Sequence, residues 1–283
     1  MITLQTATPS AALREFVRVY AQREVTAFQS GAICVTEAVP ARLEQTLEFQ
    51  FGTPFTVHLA RGDLTTPEQV IVGAHVNGAA QIDLRPGTVS FAVFFMPTGL
   101  SQLFGMPVSE MSHRNYDAAM VLNMTRMLRE HMGACTTFED RVRVIEHSLL
   151  PLAARTRKPT LITTIADHVF VKRGVIGSVG RLALDAGLGI RQFERLFLSE
   201  IGISPKLYSR VARFQSALDM KIAVPGRTWL EIAHRLSYHD QMHMIRDFQQ
   251  LGGDTPGQLL AQIGDSRPGA VADDETKQTY FAG

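Results

Sequence analysis

Hydrophobic and polar positions change their period once along this chain, close to Pro97. Before that residue, short segments rich in β-branched and aromatic side chains are separated by Pro, Gly or Asp, which is typical of an antiparallel β domain. The pattern predicts six strands: Gly31–Val39, Thr46–Phe51, Phe55–Leu59, Val70–Val76, Gln81–Leu84 and Val89–Met96. Ahead of them, the spacing of Leu13, Phe16, Val17 and Tyr20 predicts an amphipathic helix with Ser10 as its N-cap.

After Pro97 the apolar positions follow the period of about 3.6 residues that belongs to helices. We expect a first helix from Leu100, a second through the methionines at 120, 124 and 127, and a third that starts near Phe138 and ends before Pro151. An apolar helical stripe has to be covered. The first helix is expected to dock on the β domain, while the other two could dock there or form a dimer interface.

One pattern occurs twice between Ser178 and Pro256, with an offset of 50 residues that becomes 51 after Tyr238. The first copy places Leu182 and Ala183 on a short helix, Gly187 in a sharp turn, and Phe193 and Phe197 on the buried stripe of a second helix. The second copy repeats this order. Each copy therefore predicts a helix-turn-helix, a motif that lays its second helix in the DNA major groove, although a single copy could equally be an ordinary helical hairpin.

The two copies and the segment between them resemble the DNA-binding domain of the AraC/XylS family of bacterial transcription regulators, from Arg157 to about Gln262. The residues that carry the resemblance fall in both copies and in the helix that joins them: Leu182-Ala183, Phe193 to Phe197, Gly202 to Pro205, Tyr208, Arg213, Ala217, Glu231 to Ala233, Tyr238, Asp240-Gln241, His243, Arg246 to Phe248, Gly253 and Thr255-Pro256. Ser237 stands where the family usually has Gly, which predicts strain in the second turn. Met244 stands where a larger apolar residue is common.

The resemblance implies an α+β protein: a β-rich N-terminal sensor domain with flanking helices, then an all-α domain whose two helix-turn-helix units are joined by a linker helix. The expected boundaries are 1–152 for effector sensing or dimerisation, 153–160 for a linker, 161–263 for DNA binding and 264–283 for a flexible tail. The implied partners are double-stranded DNA, a small-molecule effector, a second copy of the chain and RNA polymerase. A looser similarity to the sensor domain of one branch of the family lies at Val39-Pro40, 72–75 and 94–99.

Matching the base-contacting positions of the family assigns Arg191, Glu194 and Arg195 in the first unit, with Gln192 beside them. The side chains suit the task, because Arg grips guanine bidentately, Gln suits adenine and Glu accepts from cytosine. The corresponding set in the second unit is Met242, Ile245 and Arg246, with Gln241 and His243 beside them.

Several of these side chains have a plainer interpretation. Arg195 could pair with Glu200, and Arg246 with Asp247, on a solvated face where ion pairs contribute little. Ile245 could pack in the core, in which case the second unit would act more through shape and backbone contacts than through base readout. Asp240 fits the N-cap of the second recognition helix, and the single Trp, Trp229, fits a core anchor.

Charge is distributed unevenly although the whole chain carries a formal charge of only +1. The segment 155–262 contains 15 Lys and Arg against 9 Asp and Glu, whereas residues 1–154 contain 11 against 14. A basic C-terminal half fits a polyanionic partner. Cys34 and Cys135 are too few for a disulfide framework, and the sequence has neither a signal peptide nor a long apolar run, so we expect a cytoplasmic protein, associated with the nucleoid when bound to DNA.

Catalytic signatures are missing from the sequence. The N-terminal histidines do not occur in a His-x-His or His-x-x-x-His arrangement, and neither a Gly-x-Ser-x-Gly elbow nor a Gly-Lys-Ser/Thr phosphate loop is present. We therefore expect binding rather than catalysis, with no cofactor, no metal and no membrane partner. The alternative is a small-molecule-binding protein or an enzyme whose helical half has lost useful DNA affinity.

Overall fold

A computed structural model of the full chain describes residues 2–28, 32–59, 62–65, 69–73, 79–111, 115–118, 122, 125–156, 158–175, 178–263, 270–273 and 278–281. Some sequence-based predictions fall outside these residues: Arg157 as the start of the resemblance, the 74–75 part of the sensor-domain motif, and the helical pattern at Met120 and Met124. His75 and His113 also lie outside them.

Two antiparallel sheets form most of the N-terminal half. The larger sheet has the order β1-β2-β9-β4-β7-β10 and the smaller one β3-β8-β5-β6. The strands are β1 (Ile2–Ala7), β2 (Val17–Val25), β3 (Val35–Val39), β4 (Thr46–Gln50), β5 (Thr56–Leu59), β6 (Gly62–Thr65), β7 (Gln69–Val72), β8 (Ala80–Leu84), β9 (Val89–Phe95) and β10 (Asn115–Asp117). All six strands predicted from the sequence are confirmed. The predicted ends at Gly31 and at 74–76 lie outside the described residues, and the other ends differ by one residue or agree.

The predicted helix at the N-terminus is wrong. Val17–Val25 is strand β2, which pairs with β1 on one side and β9 on the other, and Ser10 to Phe16 form turns. The spacing of Leu13, Phe16, Val17 and Tyr20 reproduces a helical stripe by coincidence, since Leu13 and Phe16 belong to the turns and only Val17 and Tyr20 to the strand. Pairing with two neighbouring strands outweighs such a local pattern.

Four helices follow the strands of the N-terminal half: α1 (Gly99–Phe104), α2 (Val108–Met111), α3 (Thr125–Ala134) and α4 (Phe138–Ala153). Helices α1, α3 and α4 cover one face of the larger sheet, whereas α2 packs against the helical C-terminal half. Leu128, Met132 and Ile145 share a buried cluster with Tyr20 and Phe91 of the sheet. Helices α3 and α4 therefore dock on the β domain, which was one of the two arrangements expected for them. The expected end of the third helix before Pro151 is wrong, because α4 continues through this proline to Ala153.

The opposite face of the larger sheet meets the smaller sheet, and charged side chains lie between them. Arg23 Nη2 of β2 lies 3.3 Å from Glu37 Oε2 of β3, and both side chains are largely buried. Arg42 lies over the ring of Phe94, 5.7 Å from its centroid. Burial lowers the pKa of Arg42 to about 10, which leaves this guanidinium charged at neutral pH.

The C-terminal half is all helical up to residue 263. Its helices are α5 (Leu161–Val171), α6 (Val179–Asp185), α7 (Ile190–Ile201), α8 (Pro205–Ala223), α9 (Trp229–Arg235), α10 (Gln241–Gly252) and α11 (Pro256–Ile263). Phe193, Phe197, Phe214 and Phe248 are completely buried in one core that these helices share. Beyond it, β11 (Ala270–Asp273) and β12 (Gln278–Phe281) pair as an antiparallel hairpin beside α8. The flexibility expected for 264–283 stays a prediction.

Candidate DNA interface

Two helix pairs of the same design lie at either end of α8. The first pair is α6 and α7, and the second is α9 and α10, which start 50 and 51 residues later respectively, as the sequence repeat predicts. Side chains fix the start of most of these helices: Ser178 Oγ accepts from the backbone N–H of Arg181, and Asp240 accepts from that of His243. The prediction of Asp240 as an N-cap is confirmed, and the bond from His243 N–H is the main cause that lowers its pKa.

The tight turn within each unit needs a left-handed residue at the same position. Gly187 has φ +67° in the first unit, and Ser237 has φ +55° in the second. Glycine adopts this conformation freely, whereas a residue with a Cβ is strained there. The strain predicted for the second turn is confirmed at Ser237.

The two recognition helices, α7 and α10, end in the same way. Gly202 and Gly253 follow them with φ values of +82° and +83°. In the first unit Pro205 then starts α8 behind the N-cap Ser204, whose hydroxyl accepts from Leu207 N–H. Left-handed C-caps followed by proline stop each helix at a defined residue. The lengths of both recognition helices are therefore set by local chemistry.

The candidate DNA-reading side chains of the first unit share one exposed face of α7. Arg191, Gln192, Glu194 and Arg195 are all exposed, while Phe193 between them is completely buried. The structure brings these four polar groups together at the N-terminal end of the helix, where two arginines, one amide and one carboxylate can meet base edges or phosphates.

The second unit presents a less polar face. Gln241, Met242 and Arg246 are exposed on α10, with Met242 54% exposed, whereas His243 and Ile245 are half-buried. The ring of His243 packs edge-on against Tyr238, with 5.4 Å between the centroids. One cation at this face, against two in the first unit, makes the second unit the weaker candidate for direct base readout.

The carboxylates considered as partners for the recognition arginines bond elsewhere. Asp247 Oδ1 accepts from Arg210 Nε at 2.9 Å and from Arg210 Nη2 at 2.7 Å, and Glu200 Oε2 accepts from Thr160. In the part of the chain that the structure describes, Arg195 and Arg246 take part in no salt bridge. Their guanidinium groups are thus presented to solvent.

Arg210 is a residue that sequence reasoning missed. It lies on α8, and its bonds to Asp247 and to Gln250 Oε1, at 2.7 Å, hold α10 against α8. The sequence contained one signal: Asp247 interrupts the apolar stripe of α10 next to Phe248, and a buried carboxylate needs a partner. Arg213, one turn further along α8, lies over the ring of Tyr238 at 5.0 Å.

Trp229 opens α9 behind a capping box in which Thr228 and Glu231 bond each other's backbone N–H groups. Its ring packs against Phe248 with 5.4 Å between centroids, and Lys221 Nζ lies 5.3 Å from the ring centroid. These contacts place Trp229 against the core, in agreement with its interpretation as a core anchor.

Within the described residues, no group of three or more His, Cys, Asp or Glu side chains could hold a metal ion. Among the same residues, no helix is both long and apolar enough to cross a membrane.

Comparison with known proteins supports the assignment of the two units. Residues 182–262 match the model of a family described as a helix-turn-helix domain. No curated protein matches the sequence at a significant level.

Solved structures resemble the chain at low sequence identity. The apo form of a point variant of ToxT from Vibrio cholerae aligns with 91% of this chain and 100% of its own, at 10% identity and a TM-score of 0.53. ToxT from the same organism with bound unsaturated fatty acid aligns with 93% of this chain and 96% of its own, at 8% identity and a TM-score of 0.49. The DNA-binding domain of AdpA in complex with a target DNA aligns with 36% of this chain and 92% of its own, at 19% identity and a TM-score of 0.34. The first alignment shows that the fold is shared across both halves.

Proposed function

We propose that this chain, whose C-terminal half is a helix-turn-helix domain of the AraC type, is a sequence-specific DNA-binding transcription regulator controlled through its N-terminal half. The observation that carries the proposal is the pair of recognition helices, which present exposed candidate base-reading arginines: Arg191 and Arg195 on α7, and Arg246 on α10. Such helices bind duplex DNA through the major groove, and two of them on one rigid linker helix would enter it about one turn apart, roughly 34 Å.

The two units are proposed to contribute unequally. Arg191, Glu194 and Arg195 would read bases through the first unit, with Gln192 near an adenine or a phosphate. In the second unit Arg246 would make the main base contact, while Gln241, Met242, His243 and Ile245 would fit the shape of the groove and approach its backbone. Sequence preference should therefore be stronger in the half of the DNA site bound by α7.

The N-terminal half is proposed to bind a small-molecule effector and to work without catalysis or a cofactor. Its fold is shared with ToxT, a protein also crystallised with an unsaturated fatty acid. The proposal further includes a homodimer formed through this half, contact with RNA polymerase and action in the cytoplasm on the bacterial nucleoid.

The test is selection of DNA from a genomic fragment pool by the full-length protein, with Arg195→Ala and Arg246→Ala in parallel. Each substitution should relax the base preference at its own position and weaken binding by about 1–3 kcal/mol. Arg143→Ala is the matched control, because Arg143 is an exposed arginine of the N-terminal half, with 77% of its side chain accessible.

Salt dependence provides the second reading of the same experiment. Affinity should fall steeply with salt as phosphate contacts release counterions. Because Arg195→Ala and Arg246→Ala remove proposed base contacts and not phosphate contacts, they should change the slope little. Weak, motif-free binding that neither variant changes would overturn the proposal. It would favour a small-molecule-binding protein or an enzyme with a vestigial helical half.

A further inference from the structure

A cluster of buried polar side chains joins the two halves of the molecule. Glu44, completely buried in the loop between β3 and β4, accepts one hydrogen bond from Arg18 of β2. Its second oxygen, Oε2, accepts from Gln215 Nε2 of α8 at 2.6 Å. Arg18 Nη2 also lies 3.7 Å from Asp219 Oδ2 of α8. We call these four residues, Arg18, Glu44, Gln215 and Asp219, the interdomain brace.

Backbone contacts surround the brace. Leu43 N–H donates to Gln215 Oε1 at 3.2 Å, so the amide of Gln215 is bonded at both ends to the same loop. Two residues earlier, Ala41 N–H donates to the carbonyl oxygen of Leu251, in the last turn of α10, at 2.9 Å. The loop that contains Glu44 is therefore bonded both to the linker helix and to the second recognition helix.

The first recognition helix is also held by the N-terminal half. Helix α2 packs against α7, and Val108 at its start is 3% exposed within the same core cluster as Phe193 and Phe197. The N-terminal half thus contacts α7, α8 and the end of α10 together. A charge buried in such an interface is strongly unfavourable without its partner.

The DNA-reading face remains open while the halves are docked. Arg191, Arg195 and Arg246 are exposed in this arrangement, and the N-terminal contacts lie on other faces of the helices. The docked half is consequently not a lid over the reading face. It instead contacts the linker helix and both recognition helices, and a restriction of their relative motion would lower the ordering cost when both bind one duplex.

We propose that the interdomain brace makes the N-terminal half a support for simultaneous binding by both recognition helices, and that opening the brace is the step by which this half regulates DNA affinity. This inference rests on the proposed function. It predicts that a broken brace weakens binding to a site that needs both helices and leaves binding to a site read by one helix alone almost unchanged.

The experiment measures affinity by fluorescence anisotropy for two duplexes, the full selected site and a half-site that keeps only the bases read by α7. Glu44→Ala breaks the brace from the N-terminal side and Gln215→Leu from the linker helix. Each should lose about tenfold in affinity for the full site, with little change at the half-site. The reason is that Glu44→Ala removes the acceptor of Gln215 Nε2, and Gln215→Leu removes the acceptor of the Leu43 N–H. The matched control is Glu37→Ala, which breaks the buried pair with Arg23 inside the N-terminal half.

Hydrogen exchange of the same DNA-free proteins gives a reading that does not depend on the proposed function. Both brace variants should exchange faster than wild type in α8 and the last turn of α10, and Glu37→Ala should not. If the wild type selects no DNA motif, the proposed function fails while exchange still tests the brace. If a motif is selected, three results would each contradict the proposed role of the brace. They are unchanged hydrogen exchange in the brace variants, equal losses of affinity for both duplexes, and a gain in affinity for the full site.

Discussion

The turn residues Gly187 and Ser237 occupy equivalent positions in the two units, and exchanging their side chains should change stability in opposite directions. Ser237 has φ +55°, where an L-residue is strained by about 1–2 kcal/mol. Replacement by glycine removes the strain but gives the unfolded chain more freedom, which offsets about 0.5–1 kcal/mol. We expect Ser237→Gly to raise the free energy of unfolding by about 1 kcal/mol.

Gly187→Ser should lower that free energy by about the same amount. A Cβ at Gly187 would meet no atom within 4 Å, so the effect is purely conformational. Ser237→Ala is the control that keeps the Cβ and the strain while it removes the hydroxyl, and it should be close to neutral.

Urea unfolding of the full chain, followed by Trp229 fluorescence, measures these changes where they occur. Trp229 is the only tryptophan of the sequence and packs against Phe248 in the second unit. Equal changes in the free energy of unfolding for Ser237→Gly and Ser237→Ala would show that backbone strain is not the cause. The same conclusion would follow if Ser237→Gly and Gly187→Ser changed that free energy in the same direction.

Three further predictions concern the helices around the interface. Asp167 of α5 bonds Thr98, and burial raises its pKa from 3.8 to about 6, so the folded state loses stability as pH rises from about 4 to 6. Asp167→Asn should flatten this part of the profile and stabilise the protein at pH 7 by up to about 3 kcal/mol, as thermal unfolding across pH would show. Thr228→Ala removes the capping box of α9 and should lower the free energy of unfolding by about 1 kcal/mol, measured by urea unfolding. An unchanged urea midpoint would contradict the role of the cap. Asp247→Ala leaves Arg210 without its main partner and should lower the melting temperature and the affinity for the full DNA site together; loss of neither would show that the pair does not position α10.

The sequence alone predicted those features of the structure that depend on residues close to one another in the chain. The six predicted strands and both helix-turn-helix units were recognisable because their periods, caps and turn residues act within a few positions of one another. The repeat offset located α9 and α10, and the Gly-to-Ser exchange at 237 located the strained turn. The exposed face of α7 could be predicted from the helical period, because burial of Phe193 and Phe197 places the candidate DNA-reading side chains on the opposite side of the helix.

Other features were decided only by tertiary structure. The residues from Val17 onward became strand β2 because two neighbouring strands supplied its hydrogen bonds, and α4 continued through Pro151 while it packed on the sheet. The brace depends on Glu44 and Gln215, which are 171 residues apart and belong to no common motif. A polar side chain in the sequence reveals that it needs a partner if buried, but only packing decides whether it is buried and which distant group becomes that partner.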